Sequence, residues 1–147
     1  MKLRHGDIEI ELPEGWADAS QIVAVAPALK GSAFRPTLVA VASPMAAKET
    51  LNAFAARHLK SLQRLQGFKL ESDQTTKLGP HTGWERVYQL TLNGSCYRQL
   101  QFLTGVGGGL LLTYSDLAAP FEESVTEGRA LIAAMSVGGA SRFEAGE

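Results

Sequence analysis

Between residues 84 and 115, hydrophobic and polar positions alternate in three short runs separated by glycine turns. In the first run Trp84, Arg86, Tyr88, Leu90 and Leu92 oppose Glu85, Val87, Gln89 and Thr91. Asn93-Gly94 follows, the strongest short-range hairpin signal, because both residues tolerate the positive φ of a type I′ turn. The second run covers 97–105, Gly107-Gly108-Gly109 supplies the next reversal, and the third run covers 110–115. The pattern predicts a three-stranded antiparallel meander that ends before Pro120, with a helix covering one face. Such a scaffold is suited to binding on its open face, and none of its residues spells out a reaction.

The remaining pattern supplies further strands and one more helix. Residues 7–12 alternate, with Ile8, Ile10 and Leu12 against Asp7, Glu9 and Glu11, as in a half-buried edge strand guarded by charge. Pro13-Glu14-Gly15-Trp16 closes that strand with a turn and an aromatic plug. Residues 21–26 read as a short apolar strand stopped by Pro27, and 28–35 as a loop. Residues 37–43 are almost continuously apolar, which predicts a central strand covered on both sides.

The spacing of Leu51, Phe54, Ala55, Leu59, Leu62 and Leu65 predicts a helix over 48–65, ended by Gly67. Arg57, Lys60 and Arg64 lie toward its C-terminus, where they complement the helix dipole. A polar strand over 68–78 and a turn over 79–83 lead into the meander. Pro120 fits the first turn of a last helix over 120–135, whose stripe is Phe121, Val125, Gly128, Ile132 and Met135. The expected fold is therefore α+β: an antiparallel sheet of about six strands with two main helices packed on one face. One domain is expected over 1–138, with a flexible tail at 139–147.

Composition narrows the function classes. The chain has 147 residues with 14 Lys plus Arg against 15 Asp plus Glu, a net charge of −1. That balance argues against a nucleic-acid partner, which calls for a basic face. Cys96 is the single cysteine, so neither an intramolecular disulfide nor a cysteine zinc cage can form. The opening Met1-Lys2-Leu3-Arg4-His5-Gly6-Asp7 lacks the apolar core of a signal peptide, and no apolar run approaches the roughly 18 residues of a membrane span. The expected setting is the bacterial cytoplasm, with no stable membrane insertion.

Candidate chemistry is sparse. His5, His58 and His81 fall in separate segments without metal-ligand spacing and read as surface histidines. Cys96 has no accompanying signature of a base or oxyanion donors. The glycines at 105–109 are followed by the strand-like Leu110-Leu111-Leu112-Thr113-Tyr114, whereas a dinucleotide loop opens a helix. Glu9 and Glu11 read as a solvated edge, and Glu122, Glu123 and Glu127 as a charged helix face. The expectation is a protein that is not an enzyme, with no catalytic residue, cofactor or metal.

One feature asks for a partner. The strand over 21–26 is apolar on both faces, and so is that over 37–43. If both helices cover one face, the other needs a second subunit, a loop or an apolar ligand to shield it. Val23, Val25, Val39 and Val41 are the candidates for that surface. Because strand parity is open at this stage, Ile22, Leu38 and Ala40 are alternatives.

The order of elements resembles a known family. Ile10-Glu11-Leu12-Pro13-Glu14-Gly15-Trp16-Ala17-Asp18-Ala19-Ser20 is similar to the opening of the DcrB-related family, within the PsbP-like superfamily of α+β folds. The likeness continues through 62–70, Leu78-Gly79-Pro80-His81, Arg98-Gln99-Leu100-Gln101-Phe102, Leu111-Leu112-Thr113-Tyr114-Ser115 and Pro120-Phe121. Many cytoplasmic members resembling this chain are dimeric adaptor chaperones that hold hydrophobic, transmembrane-like segments of type VI secretion effectors in a groove. The resemblance thus implies a secreted effector protein as partner, a homodimer and a hydrophobic groove, and the apolar strand residues Ile22, Val23, Val25, Leu38, Val39 and Val41 are the candidates to line it. The rival readings within the same fold are a small-molecule or lipid carrier and a structural interaction module.

Overall fold

The computed structural model describes residues 1–17, 19–27 and 34–137. The elements run β1 (Lys2–His5), β2 (Ile8–Glu11), β3 (Gln21–Val25), β4 (Thr37–Ala42), α1 (Leu51–Leu62), β5 (Lys69–Leu78), β6 (His81–Leu92), β7 (Ser95–Thr104), β8 (Leu110–Leu117) and α2 (Ala118–Ala133). Strands β3 to β8 form one antiparallel sheet in the order β3-β4-β8-β7-β6-β5. The class, the six-stranded sheet and both helices match the sequence expectation. The β6–β7 hairpin turns at Asn93 and Gly94 with φ of 49° and 79°, as their side chains allow. The expected tail from 139 onward and most of the expected loop at 28–35 lie outside the described residues.

The two helices lie on opposite faces of the sheet, which corrects the expectation that they share one. Neighbouring strand residues point to opposite faces, and two neighbours on β6 settle the matter. Arg86 donates through Nη2 to the Ala55 carbonyl of α1 at 2.7 Å, whereas Glu85 accepts from Arg129 of α2 at 3.1 Å. The physical reason is that the meander is apolar on both sides. Tyr88, Leu90 and Leu103 are buried toward α1, and Val87, Leu100, Phe102 and Leu112 are buried toward α2. Alternating strands with one large side chain at nearly every position require two covers.

The α2 side holds the main core. Phe121, Val125 and Ile132 of α2 pack on Val87, Leu100, Phe102, Leu112 and Tyr114. Gly128 lies directly on the Tyr114 ring; a Cβ there would sit 2.7 Å from ring carbons. On the α1 side, Phe54 and Ala55 are buried against β6 and β7, and Arg86 anchors the helix. Its Nε donates to Asp73 at 3.1 Å and its Nη1 to Gln101 at 3.3 Å, so the buried guanidinium is fully engaged. Trp84 Nε1 also donates to Asp73.

Boundaries shift for local reasons. α1 begins at Leu51 rather than 48 because Thr50 caps it, its Oγ1 accepting from Ala53 N at 3.1 Å, while Lys48 has a φ of 64°. β6 begins at His81, so the expected turn over 79–83 contracts to Gly79 and Pro80. His81 is buried and its Nε2 lies 2.7 Å from the Met135 carbonyl, so it is not the surface histidine expected. Residues 8–11 do not join the large sheet. They pair with β1 in a separate hairpin that leaves Ile8 and Ile10 exposed, where a half-buried edge strand was expected.

Candidate functional site

Two apolar surfaces border β3 and β4, one on each face of the sheet. On the α1 side the register lines up three rows across β3, β4 and β8: Val23, Val39 and Thr113; Val25, Thr37 and Ser115; and Gln21, Val41 and Leu111. α1 lies over β6 and β7 and leaves this half of the face open. Val23 and Val25 are 55% and 47% exposed, in a strand at the edge of the sheet. Val39, Val41 and Leu111 are half-buried beside them. Together they form a valine strip.

Polar groups bound the strip on its inner side. Gln101 lies beside Thr113 and is held by Arg86, and Gln99 donates to Ser115 Oγ at 2.8 Å while accepting from Tyr88 at 2.7 Å. Burial in that network pushes the Tyr88 hydroxyl above its ordinary pKa. At one end Phe34 meets Tyr97 with ring centroids 5.1 Å apart. At the other, Ser43 Oγ contacts His58 Nε2 at 3.0 Å, joining the end of β4 to α1. Burial lowers the His58 pKa, and Arg57 and Arg86 lower it further. A neighbouring pair, Glu49 and Arg57, fixes the start of α1: the hydrogen bond from Arg57 first, and that from Ala46 N second, hold the Glu49 carboxyl at about 2.

On the opposite face, β3, β4 and α2 enclose a cleft of about 620 Å³. Its lining includes Ala24, Leu38, Tyr114, Pro120 and Leu131, with Asp116, Glu123 and Glu127 on its polar side. Asp116 is buried, accepting from Leu117 N at 2.7 Å and Ser124 Oγ at 2.6 Å. Burial raises the Tyr114 pKa, opposed by a hydrogen bond with Ser124.

The six groove candidates therefore divide. Val23, Val25, Val39 and Val41 share the α1 side, and Val25 also reaches the cleft; Ile22 and Leu38 face α2. The helix-free face expected for them does not exist, because each face carries one helix over part of its width. Sequence reasoning missed the cleft. Its one signal was the i, i+4 spacing of Glu123 and Glu127 beside Leu131 on one side of the last helix. Cys96 is exposed near the β6–β7 hairpin, with its Sγ 3.8 Å from Gln89 Oε1, and it does not line the cleft. Among the described residues no group of three His, Cys, Asp or Glu side chains is placed to hold a metal. Among the described residues, too, no helix is long and apolar enough to cross a membrane.

This geometry defines an α+β scaffold with an apolar strip at one sheet edge. The DcrB family model matches residues 8–133, and the chain belongs to that family. Among solved structures, PA94 from Pseudomonas aeruginosa, a protein of unknown function, superimposes with a TM-score of 0.74 at 19% identity. The match covers 93% of this chain and 96% of that one. LpqN from Mycobacterium tuberculosis, involved in cell envelope biogenesis, superimposes with a TM-score of 0.53 at 15% identity, covering 88% of this chain and 85% of its own. Both likenesses establish the shared fold. No curated protein matches the sequence.

Proposed function

We propose that this protein is a non-enzymatic adaptor chaperone that shields an apolar, transmembrane-like helix of a secreted effector, of the kind exported by type VI secretion. The observation that carries the reading is the valine strip: Val23, Val25, Val39 and Val41 on one side of the sheet, beyond the reach of α1. An apolar helix laid on it buries surface worth about 25 cal/mol per Å², so each half-exposed valine adds about 1 kcal/mol before association costs. On the inner border the half-buried Thr113 and Ser115 offer hydroxyl groups to a helix that carries a few polar side chains. A homodimer that joins two strips into one groove completes the reading, in the cytoplasm, with no nucleic-acid partner and no cofactor.

The test is co-expression with a neighbouring gene product that carries a hydrophobic segment, followed by pull-down. The expected outcome is a complex with the native chain and loss of capture with Val23→Lys or Val39→Glu, each checked for a retained fold. Lysine suits an exposed edge position, so Val23→Lys leaves the sheet intact. Equal capture by the charged variants, or no capture of such an effector, overturns the proposal. Light scattering of the purified chain reads the dimer directly.

A further inference from the structure

The cleft on the α2 side has a charge pattern of its own. Acids elsewhere on that face of the sheet and on α2 have basic partners. Glu85 pairs with Arg129 at 3.1 Å, and Glu71 and Glu122 both pair with Arg98, at 2.6 and 2.8 Å. Glu123 and Glu127, one helical turn apart on the cleft rim, have no basic partner among the described residues. Arg35 stands near the β3–β4 side of the mouth, but its Nε donates to the Ala26 carbonyl at 2.7 Å and it pairs with neither acid. Asp116 adds a third acid to the same cleft. It is 3% exposed, lines the cleft, and its two oxygens are held by a backbone N–H and a serine hydroxyl, both neutral. Its register partner on β7 is Arg98, whose guanidinium is taken up by Glu71 and Glu122, so acids outnumber bases around the cleft.

We infer that this cleft docks a segment of a protein partner that combines aliphatic side chains with a lysine or arginine. The aliphatic part fits against Leu38, Tyr114, Pro120 and Leu131, and the cation lies between Glu123 and Glu127 with Asp116 behind them. The volume of about 620 Å³ suits a few side chains rather than a whole helix. Gly128 makes the floor possible, because any larger residue would push α2 off the Tyr114 ring and reshape the cleft. This site lies on the other side of the sheet from the valine strip and stands whether or not the strip holds an effector helix.

The test uses the full chain and a fluorescein-labelled octapeptide of alternating leucine and lysine, read by polarisation. The expected result is binding that a leucine–glutamate octapeptide does not reproduce and that weakens as salt rises from about 50 mM to about 500 mM. Glu123→Gln/Glu127→Gln lowers affinity about fourfold, since each exposed ion pair is worth a factor of about two. Both acids are exposed, so that variant folds normally. Leu131→Gln weakens binding as well, whereas Val23→Gln, on the opposite face, leaves it unchanged. Equal binding of the two peptides, or unchanged affinity in the double variant, overturns the proposal. So does dodecyltrimethylammonium binding without peptide binding, which would assign the cleft to a small amphiphile. Self-association abolished by Glu123→Gln/Glu127→Gln would assign it to a second copy and overturn the proposal too.

Discussion

At Arg86 a guanidinium that is 1% exposed lies between a sheet and a helix, a position that leucine or methionine would normally fill. It is tolerated because Asp73, Gln101 and the Ala55 carbonyl take up its donors. Removing it strands a carboxylate and a buried carbonyl, so Arg86→Ala is expected to cost about 3 kcal/mol in urea unfolding. Gly128→Ala is expected to destabilise by about 2 kcal/mol, because the new methyl meets the Tyr114 ring rather than a movable chain end. His58 gives the molecule a pH dependence whose sign is fixed. Burial first, and then Arg57 and Arg86, place its folded pKa below the ordinary 6.5, so the unfolded chain takes up the proton first. The His58 contribution is intact above about 6.5 and declines as pH falls below it. His58→Gln should flatten that slope in denaturant titrations between about pH 7 and 5. Glu49 acts in a lower window: its contribution is present above 4.5 and is lost as pH falls toward about 2.

At the scale of elements, the two edges of the sheet differ in how they are protected. β5 carries Lys69, Glu71, Asp73 and Lys77, with a register shift between Leu70 and Ser72, the charges and bulge that discourage edge pairing. β3 reads Gln21-Ile22-Val23-Ala24-Val25 and has neither device. The Ala26 N to Pro36 carbonyl bond fixes which residues bond inward to β4, and by alternation Val23 and Val25 turn their backbone groups to the free edge. Val23→Lys is therefore expected to reduce any concentration-dependent association of the purified chain, measured by sedimentation. Period-two alternation and the Asn93-Gly94 pair made the meander legible in the sequence, and the Phe54 stripe made α1 legible. The face each helix covers was not legible, since β6, β7 and β8 are apolar on both sides and parity alone does not choose. Nor was the start of α1, where Thr50 outcompetes three residues of good helical pattern. The separate β1–β2 hairpin was missed because Lys2–His5 offers no apolar alternation to predict a partner for β2. The valine strip was half legible: the residue types were in view, but assigning Ile22 and Leu38 to the other face required the register.

At the scale of the whole molecule, the sheet separates two surfaces of different chemistry. The valine strip on the α1 side is uncharged along β3 and β4, and the cleft on the α2 side is apolar with an acidic rim. Among the described residues they meet at the end of β3 and the start of β4, where Val25 and Thr37 belong to both. Side chains of one strand alternate between the faces, so a ligand on one side touches a different set of residues from a ligand on the other. Two ligands should therefore bind without competing, and their stabilising effects should add. A ligand at 100 times its dissociation constant stabilises the folded chain by about 2.7 kcal/mol, so two independent ligands give about 5 kcal/mol. The measurement is urea unfolding of the full chain with a transmembrane-like peptide, with the leucine–lysine octapeptide, and with both. Independent sites predict a midpoint shift with both ligands equal to the sum of the single shifts. A shared site caps the combined shift close to the larger single one. Val23→Lys should remove the first peptide's shift and keep the second, while Glu123→Gln/Glu127→Gln should do the reverse. A combined shift no larger than either alone would mean that the two surfaces act as one, with Val25 and the β3 edge as the point where the ligands collide.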